Sequence, residues 1–235
     1  MVFLAFFGMQ VAAGAVIGFL GGLWYVLAYG PGPRIAADVQ RAVVVPAALA
    51  GQIVGGLAAL RMARRSLPGP VGSGALVPIG WSGASAHHLV LASAAGGALA
   101  LVYLFGLVPM APPSPGREWG PLVGAVTAGG WSHHLWAVLA LVVAPPVEEF
   151  VFRGVAFTGF RETWGPGVAG VVVTLLFVAS HFSEIAGAGP AVIGVALVGS
   201  ATLLARIATG SLAPAIVLHA SYNLGLVIAT YVGNA

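Results

Sequence analysis

The sequence predicts an all-α, polytopic transmembrane bundle of about seven to eight helices. Of the 235 residues, 59% are hydrophobic and only 6% are charged, whereas about a quarter of the residues of a soluble domain are charged. Apolar runs of about eighteen residues or more recur along the chain, and runs of that length can cross a bilayer as helices. The apolar residues do not alternate with polar ones as they would in a membrane strand. A helical bundle is therefore favoured over a barrel.

On the scale of about twenty helical residues per bilayer crossing, seven apolar segments follow one another along the chain. They run at about 3–29, 42–60, 88–110, 135–160, 167–182, 188–208 and 212–232. The fourth contains Pro145-Pro146, which either kinks one helix or separates two half-helices, so that the predicted count is seven or eight. Two linkers rich in small and turn-forming residues, 66–87 and 111–132, separate the second, third and fourth segments.

The charge and the cysteine content exclude several classes of protein. The net charge of +3 comes from nine arginines and no lysine, and the arginines form no basic face that would hold nucleic acid. The chain contains no cysteine, which excludes a disulfide framework, a thiol nucleophile and a thiolate metal site. Any metal would need histidine and carboxylate ligands. Membrane lipids are the expected surroundings.

Ionisable side chains inside the apolar segments mark the candidate functional site, because a charge at the bilayer centre costs about 2.5–3.5 kcal/mol on insertion scales. The clusters that meet this test fall in 135–235, which we interpret as a catalytic core, while 1–134 supplies the N-terminal helices of the same integral bundle. Three clusters occur, which are Glu148-Glu149 with Arg153, Phe177 with His181, and His219 with Asn223.

Helical spacing predicts different work for the two glutamates. Glu149 and Arg153 are four residues apart on one helix face, in the favoured acid-first order, and can form a charge-assisted pair. Glu148 lies about 100° around the helix from Glu149 and is free to face a cavity. Glu149 is therefore predicted to orient the site, and Glu148 is the candidate general base.

The two histidines complete one of two arrangements. In the first, Glu148 and His181 activate a water, while His219 and Asn223, which share a helix face, stabilise the oxyanion formed at a peptide carbonyl. In the second, Glu148, His181 and His219 bind a divalent metal such as zinc, with water as the fourth ligand. The sequence contains no HExxH motif that would favour the metal, and both arrangements stay open.

The ordered triple of motifs resembles the CPBP family of intramembrane proteases, which includes the type II CAAX prenyl endopeptidases and the bacterial Abi proteins. The family pattern is EExxxR, then FxxxH, then HxxxN or HxxxB, and each position is filled over about 145–225. The resemblance implies an endopeptidase whose site lies in a cavity between helices. Family members are described both as glutamate-type and as metal-dependent proteases.

The resemblance also implies a role for each motif residue. The roles are Glu148 activating the water, Glu149 and Arg153 supporting it, His181 assisting the water, Phe177 belonging to the supporting set, and His219 with Asn223 forming an oxyanion hole. The implied substrate is a membrane-associated protein or peptide, lipidated or not, cleaved near the membrane surface. A short, arginine-only, cysteine-free chain is typical of a multi-pass protein of the bacterial inner membrane.

Two alternatives belong to other classes of protein. A proton-coupled transporter would use the same buried glutamate and histidine side chains to relay protons. A non-catalytic immunity or scaffold protein of the membrane would use the histidine and asparagine as hydrogen bonds between helices.

Overall fold

The fold is all-helical, as predicted. The computed structural model describes residues 2–30, 35–66, 79–110, 130–185 and 189–233, and these ranges contain helices, short turns and no strand. Most of the two predicted linkers, 67–78 and 111–129, lies outside the described residues.

The helices follow one another in the order that the apolar segments predict. The helices α1, α2 and α3 are Val2–Tyr29, Ile35–Ser66 and Ala86–Leu101, and α3 continues through a π-helical turn, Val102–Leu107, and a 3-10 turn, Val108–Met110. The long run α4 is Trp131–Ser180. The last three helices are α5, Phe182–Ile185, α6, Gly189–Thr209, and α7, Ala213–Gly233.

The predicted number of spanning helices, seven to eight, was slightly too high. Within the described ranges, six helices are long and apolar enough to cross a membrane. The difference arises because the fourth and fifth predicted segments both lie in α4. This run turns back at Gly165, where φ is 76°, so that the Phe177 ring lies 5.2 Å from the Phe152 ring. The returning limb, 166–180, is about 22 Å long at 1.5 Å per residue and is shorter than the bilayer core.

The first limb of α4 is not a regular helix. It consists of α-helical and π-helical parts, in the order Trp131–Val138 (α), Leu139–Val143 (π), Ala144–Glu149 (α) and Phe150–Ala156 (π), before the α-helical Phe157–Ser180. Pro145 and Pro146 lack the N–H groups that would continue the preceding helix, and a wide turn accommodates such a break. The Pro145-Pro146 pair is thus a local irregularity of a continuous run, and Glu148 and Glu149 lie directly after it.

Glycines bring the neighbouring helices close to this irregular limb. A Cβ atom on Gly56 of α2 would lie 2.9 Å from Cγ2 of Val147, and a Cβ atom on Gly96 of α3 would overlap the backbone of α7 at Leu218. Such close approach needs small residues at helix contacts in membranes. Large apolar side chains cover much of the outer surface, such as Phe105, which is 76% exposed. The exposed apolar surface is suited to contact with lipid. The close helix contacts place α2 and α7 beside Glu148 and Glu149.

Candidate active site

Glu149 and Arg153 form a fully buried ion pair, as the i, i+4 spacing predicts. Nη1 of Arg153 donates to Oε1 of Glu149 at 3.2 Å, and both side chains are 0% exposed. Nη2 of Arg153 donates to the carbonyl oxygen of Gly199 on α6 at 2.6 Å. Removing one partner of a buried pair leaves an uncompensated charge, which costs about 3–5 kcal/mol. Arg153 therefore links α4 to α6 through its hydrogen bond to Gly199.

Glu149 also binds a histidine of α7. The distance between Nδ1 of His219 and Oε1 of Glu149 is 2.9 Å. An ionised carboxylate only accepts hydrogen bonds, so Nδ1 of His219 carries the proton and donates it. In the neutral ring, Nε2 then holds a lone pair, and this atom lies 4.0 Å from Oε2 of Glu148. Glu149 thus sets both the tautomer and the direction of the His219 ring.

His181 approaches Glu148 from the end of α4 in the same way. Its Nδ1 lies 2.8 Å from the carbonyl oxygen of Phe177, one turn earlier. A carbonyl only accepts, so Nδ1 donates and Nε2 of the neutral ring is free to accept. Nε2 of His181 lies 3.8 Å from Oε2 of Glu148. A water molecule beside the line that joins these two atoms can lie about 2.8 Å from each of them.

Phe177 packs in the centre of the three motifs. Its ring centroid lies 4.6 Å from that of His181 and 5.8 Å from that of His219, edge-on to the latter. The guanidinium carbon of Arg153 lies 4.2 Å from the same centroid, within cation–π range. The side chain is 1% exposed. Phe177 thus supports both rings by packing and supplies its backbone carbonyl to one of them.

Asn223 lies one turn after His219 on α7, as the spacing predicts. Its Nδ2 donates to the carbonyl oxygen of Ala140 at 2.8 Å, in the π-helical turn of α4. A primary amide carries two N–H donors, so this bond leaves one donor for another partner. The same hydrogen bond holds α7 against the first limb of α4.

The four predicted catalytic side chains line one cavity between the helices. The cavity has a volume of about 600 Å³, and Glu148, His181, His219 and Asn223 all contribute to its wall. Oε2 of Glu148 is buried and has no hydrogen-bond partner in the described part of the chain. Much of the remaining lining is apolar and aromatic and includes Phe6, Phe7, Tyr103, Trp136 and Tyr222.

Glu148 has one polar neighbour that the helical spacing did not predict. Nε2 of Gln52, on α2, donates to Oε1 of Glu148 at 2.7 Å, and the contact is buried. A signal was present in the sequence, because Gln52 is the only polar side chain of the apolar segment 42–60. Helical spacing relates residues on one helix, however, and does not pair a residue with another that lies 96 positions away.

The metal arrangement fits the described geometry less well than the water arrangement. Within the described residues, no group of three histidine, aspartate or glutamate side chains is placed so that it could hold a metal ion. Zinc ligands lie about 2.0–2.2 Å from the metal, and Glu148, His181 and His219 would have to move together to reach that geometry.

Comparison with known proteins agrees with the resemblance that the three motifs carry. Residues 130–225 match the family model described as type II CAAX prenyl endopeptidase Rce1-like, which supports an intramembrane endopeptidase in general terms. No curated protein matches the chain, and no solved structure does. Over residues 130–225, which contain all three motifs, the chain is similar to the Rce1-like type II CAAX prenyl endopeptidases.

Proposed function

We propose that this protein hydrolyses a peptide bond of a membrane-associated protein or peptide, with Glu148 as the general base. The observation that carries the proposal is the unpartnered Oε2 of Glu148, which lies 3.8 Å from Nε2 of His181 and 4.0 Å from Nε2 of His219. A buried carboxylate oxygen without a donor costs free energy, and such atoms in membrane segments are associated with function.

In the proposed reaction, Oε2 of Glu148 removes a proton from a water molecule that Nε2 of His181 orients. The water oxygen forms a bond to the substrate carbonyl carbon, and the carbonyl oxygen becomes an oxyanion. The C–N bond then breaks, and Glu148 returns the proton to the leaving amine. General acid–base catalysis of this kind contributes about 10²–10⁴-fold to a rate.

The oxyanion would receive hydrogen bonds from Asn223 and His219. Asn223 has one N–H left after its bond to Ala140. His219 can donate from Nε2 only as an imidazolium, since Nδ1 already donates to Glu149. The carboxylate of Glu149 would stabilise that imidazolium through a charge-assisted hydrogen bond. Stabilisation of this type is often the largest single contribution to catalysis.

The apolar cavity suits a hydrophobic or lipidated substrate that enters from the membrane. Aromatic side chains line it beside the polar groups, and ligand sites are commonly of this mixed kind. We propose a bacterial inner membrane location, which fractionation of the source cells tests.

The test uses the purified protein in detergent with quenched fluorogenic peptides that end in a CAAX sequence, with and without a farnesyl group on the cysteine. We expect Glu148→Gln to abolish cleavage while the protein still folds, since a glutamine at 148 can still accept from Gln52. The matched control is Glu162→Gln, because Glu162 is an exposed carboxylate of α4 outside the cavity. Equal cleavage by the wild type and Glu148→Gln would refute the proposed base.

Two further measurements separate the alternatives. Proton flux through sealed vesicles that is lost in Glu148→Gln, with no cleavage of any peptide by the wild type, would favour a transporter. Under the proposed mechanism, 1,10-phenanthroline leaves cleavage unchanged. Loss of cleavage that added zinc restores would instead support a metal bound by Glu148, His181 and His219.

A further inference from the structure

Gln52 contributes to the surroundings of Glu148 from outside the matched segment 130–225. The amide nitrogen of Gln52 lies 2.7 Å from Oε1 of Glu148, and the two residues are 8% and 7% exposed. A hydrogen bond of this length to a carboxylate is at the short, strong end of the range. Helix α2 therefore contacts the candidate general base directly.

The chemistry of the two groups determines which oxygen of Glu148 faces the histidines. An ionised carboxylate only accepts, so the amide nitrogen of Gln52, and not its oxygen, must face it. With Oε1 bound to Gln52, Oε2 is the oxygen directed toward Nε2 of His181 and Nε2 of His219. Without Gln52, no other donor to Glu148 is present in the described ranges, and the carboxylate would be free to rotate about its last bond.

The contact depends on the close approach of α2 to α4. Gly56 lies one turn after Gln52 on α2, on the same face, and a Cβ atom there would lie 2.9 Å from Cγ2 of Val147. Real Cβ contacts are almost never shorter than 3.0 Å, so a larger residue at 56 would move the two helices apart. The absence of a side chain at 56 thus allows the 2.7 Å contact between Gln52 and Glu148.

We propose that Gln52 is a positioning residue of the proposed hydrolysis, which holds the carboxylate of Glu148 with Oε2 directed at the attacking water. This inference rests on the proposed function. Because Gln52 acts through Glu148, its loss should lower kcat and leave KM nearly unchanged. The loss of one hydrogen bond to a charged group corresponds to a decrease in kcat of about 10- to 100-fold.

The test is the cleavage of the CAAX-ended fluorogenic peptides by Gln52→Met, in which an unbranched side chain of similar length lacks the donor. The matched control is Ile53→Met, which places the same side chain at the next position, where Ile53 is 43% exposed. We expect kcat of Gln52→Met to fall about 10- to 100-fold with KM within about twofold. The thermal midpoint should also fall, because Oε1 of Glu148 loses its buried donor. Ile53→Met should match the wild type.

Two additional variants test the same role of Gln52 if Gln52→Met does not fold. Gln52→Asn keeps the amide but is one methylene too short for the contact, and it should lower kcat to a similar extent. Gly56→Ala should also lower kcat at constant KM, because it separates α2 from α4.

The outcomes separate this inference from the proposed function. If wild-type cleavage does not depend on Glu148, the proposed function is wrong and the role of Gln52 is wrong with it. If cleavage depends on Glu148 while Gln52→Met, or Gln52→Asn in its place, retains the wild-type kcat, only the role of Gln52 is overturned. A rise in KM that accompanies the fall in kcat would indicate a structural role and would also overturn it.

Discussion

Gly96 and Gly97 provide a test of how closely α3 must approach the helix that carries His219. A Cβ atom on Gly96 would overlap the carbonyl oxygen of Leu218 and would lie 2.9 Å from Cβ of Ser221, whereas ordinary contacts are 3.4–4 Å. A backbone carbonyl cannot rotate away as a flexible side chain can. Gly96→Ala must therefore push α3 and α7 apart.

The next residue supplies the matched control. A Cβ atom on Gly97 meets nothing within 4 Å. Both substitutions gain about 1 kcal/mol of helix propensity at most, so this gain cancels when the stabilities of the two variants are compared. Overpacking of a tight contact costs about 1–3 kcal/mol. We therefore expect Gly96→Ala to be less stable than Gly97→Ala by about 1–3 kcal/mol.

The assay is reversible unfolding of the two variants in the same detergent, followed by cleavage of the fluorogenic peptides. Gly96→Ala should also lose cleavage, because a displaced α7 moves His219 away from Glu148, while Gly97→Ala should behave like the wild type. Equal stability of the two variants would refute the close helix contact at Gly96. A less stable Gly96→Ala that retains full kcat would refute the link between this contact and the site.

Two other substitutions separate structural from chemical roles. Glu149→Gln leaves the buried charge of Arg153 without its carboxylate partner, so we expect the free energy of unfolding to fall by about 3–5 kcal/mol. It also weakens the hydrogen bond that Glu149 accepts from His219, so kcat should fall as well. Reversible unfolding and peptide cleavage measure both effects, and a fully stable Glu149→Gln would contradict the role of the ion pair. Asn223→Leu removes the donor to Ala140 and the proposed oxyanion donor, so kcat should fall by about 10²–10³-fold. Wild-type cleavage by Asn223→Leu would exclude the proposed role of Asn223 as an oxyanion donor.

The features that could be predicted from the sequence are those that depend on near neighbours along the chain. Apolar length predicts the spanning helices, and a separation of four residues predicts the buried contact between Glu149 and Arg153. The same spacing places His219 and Asn223 on one face of α7, and both residues line the same cavity. The catalytic roles given to these residues stay predictions.

The features that could not be predicted depend on how separate helices pack. The fold-back of α4 at Gly165 joins two predicted segments, and neither hydropathy nor segment length distinguishes such a turn from a loop. The contact of His219 with Glu149 links residues 70 positions apart, and it gives Glu149 a second partner that the spacing did not indicate. The contact of Gln52 with Glu148 could not be predicted either, because it joins residues of two separate helices.

The two adjacent glutamates differ because each receives its surroundings from different helices. Glu149 is 0% exposed and accepts from two cationic or potentially cationic side chains at one oxygen. Glu148 accepts from a neutral amide at one oxygen and has no partner at the other in the described ranges. Apolar residues in place of both Glu148 and Gln52 would remove the unpaired oxygen together with the amide that donates to the other oxygen, so packing alone does not require a carboxylate there. The cost of retaining the carboxylate of Glu148 is expected where a fold gives up stability for function. Glu149 differs, because its removal would leave the buried charge of Arg153 without its carboxylate partner.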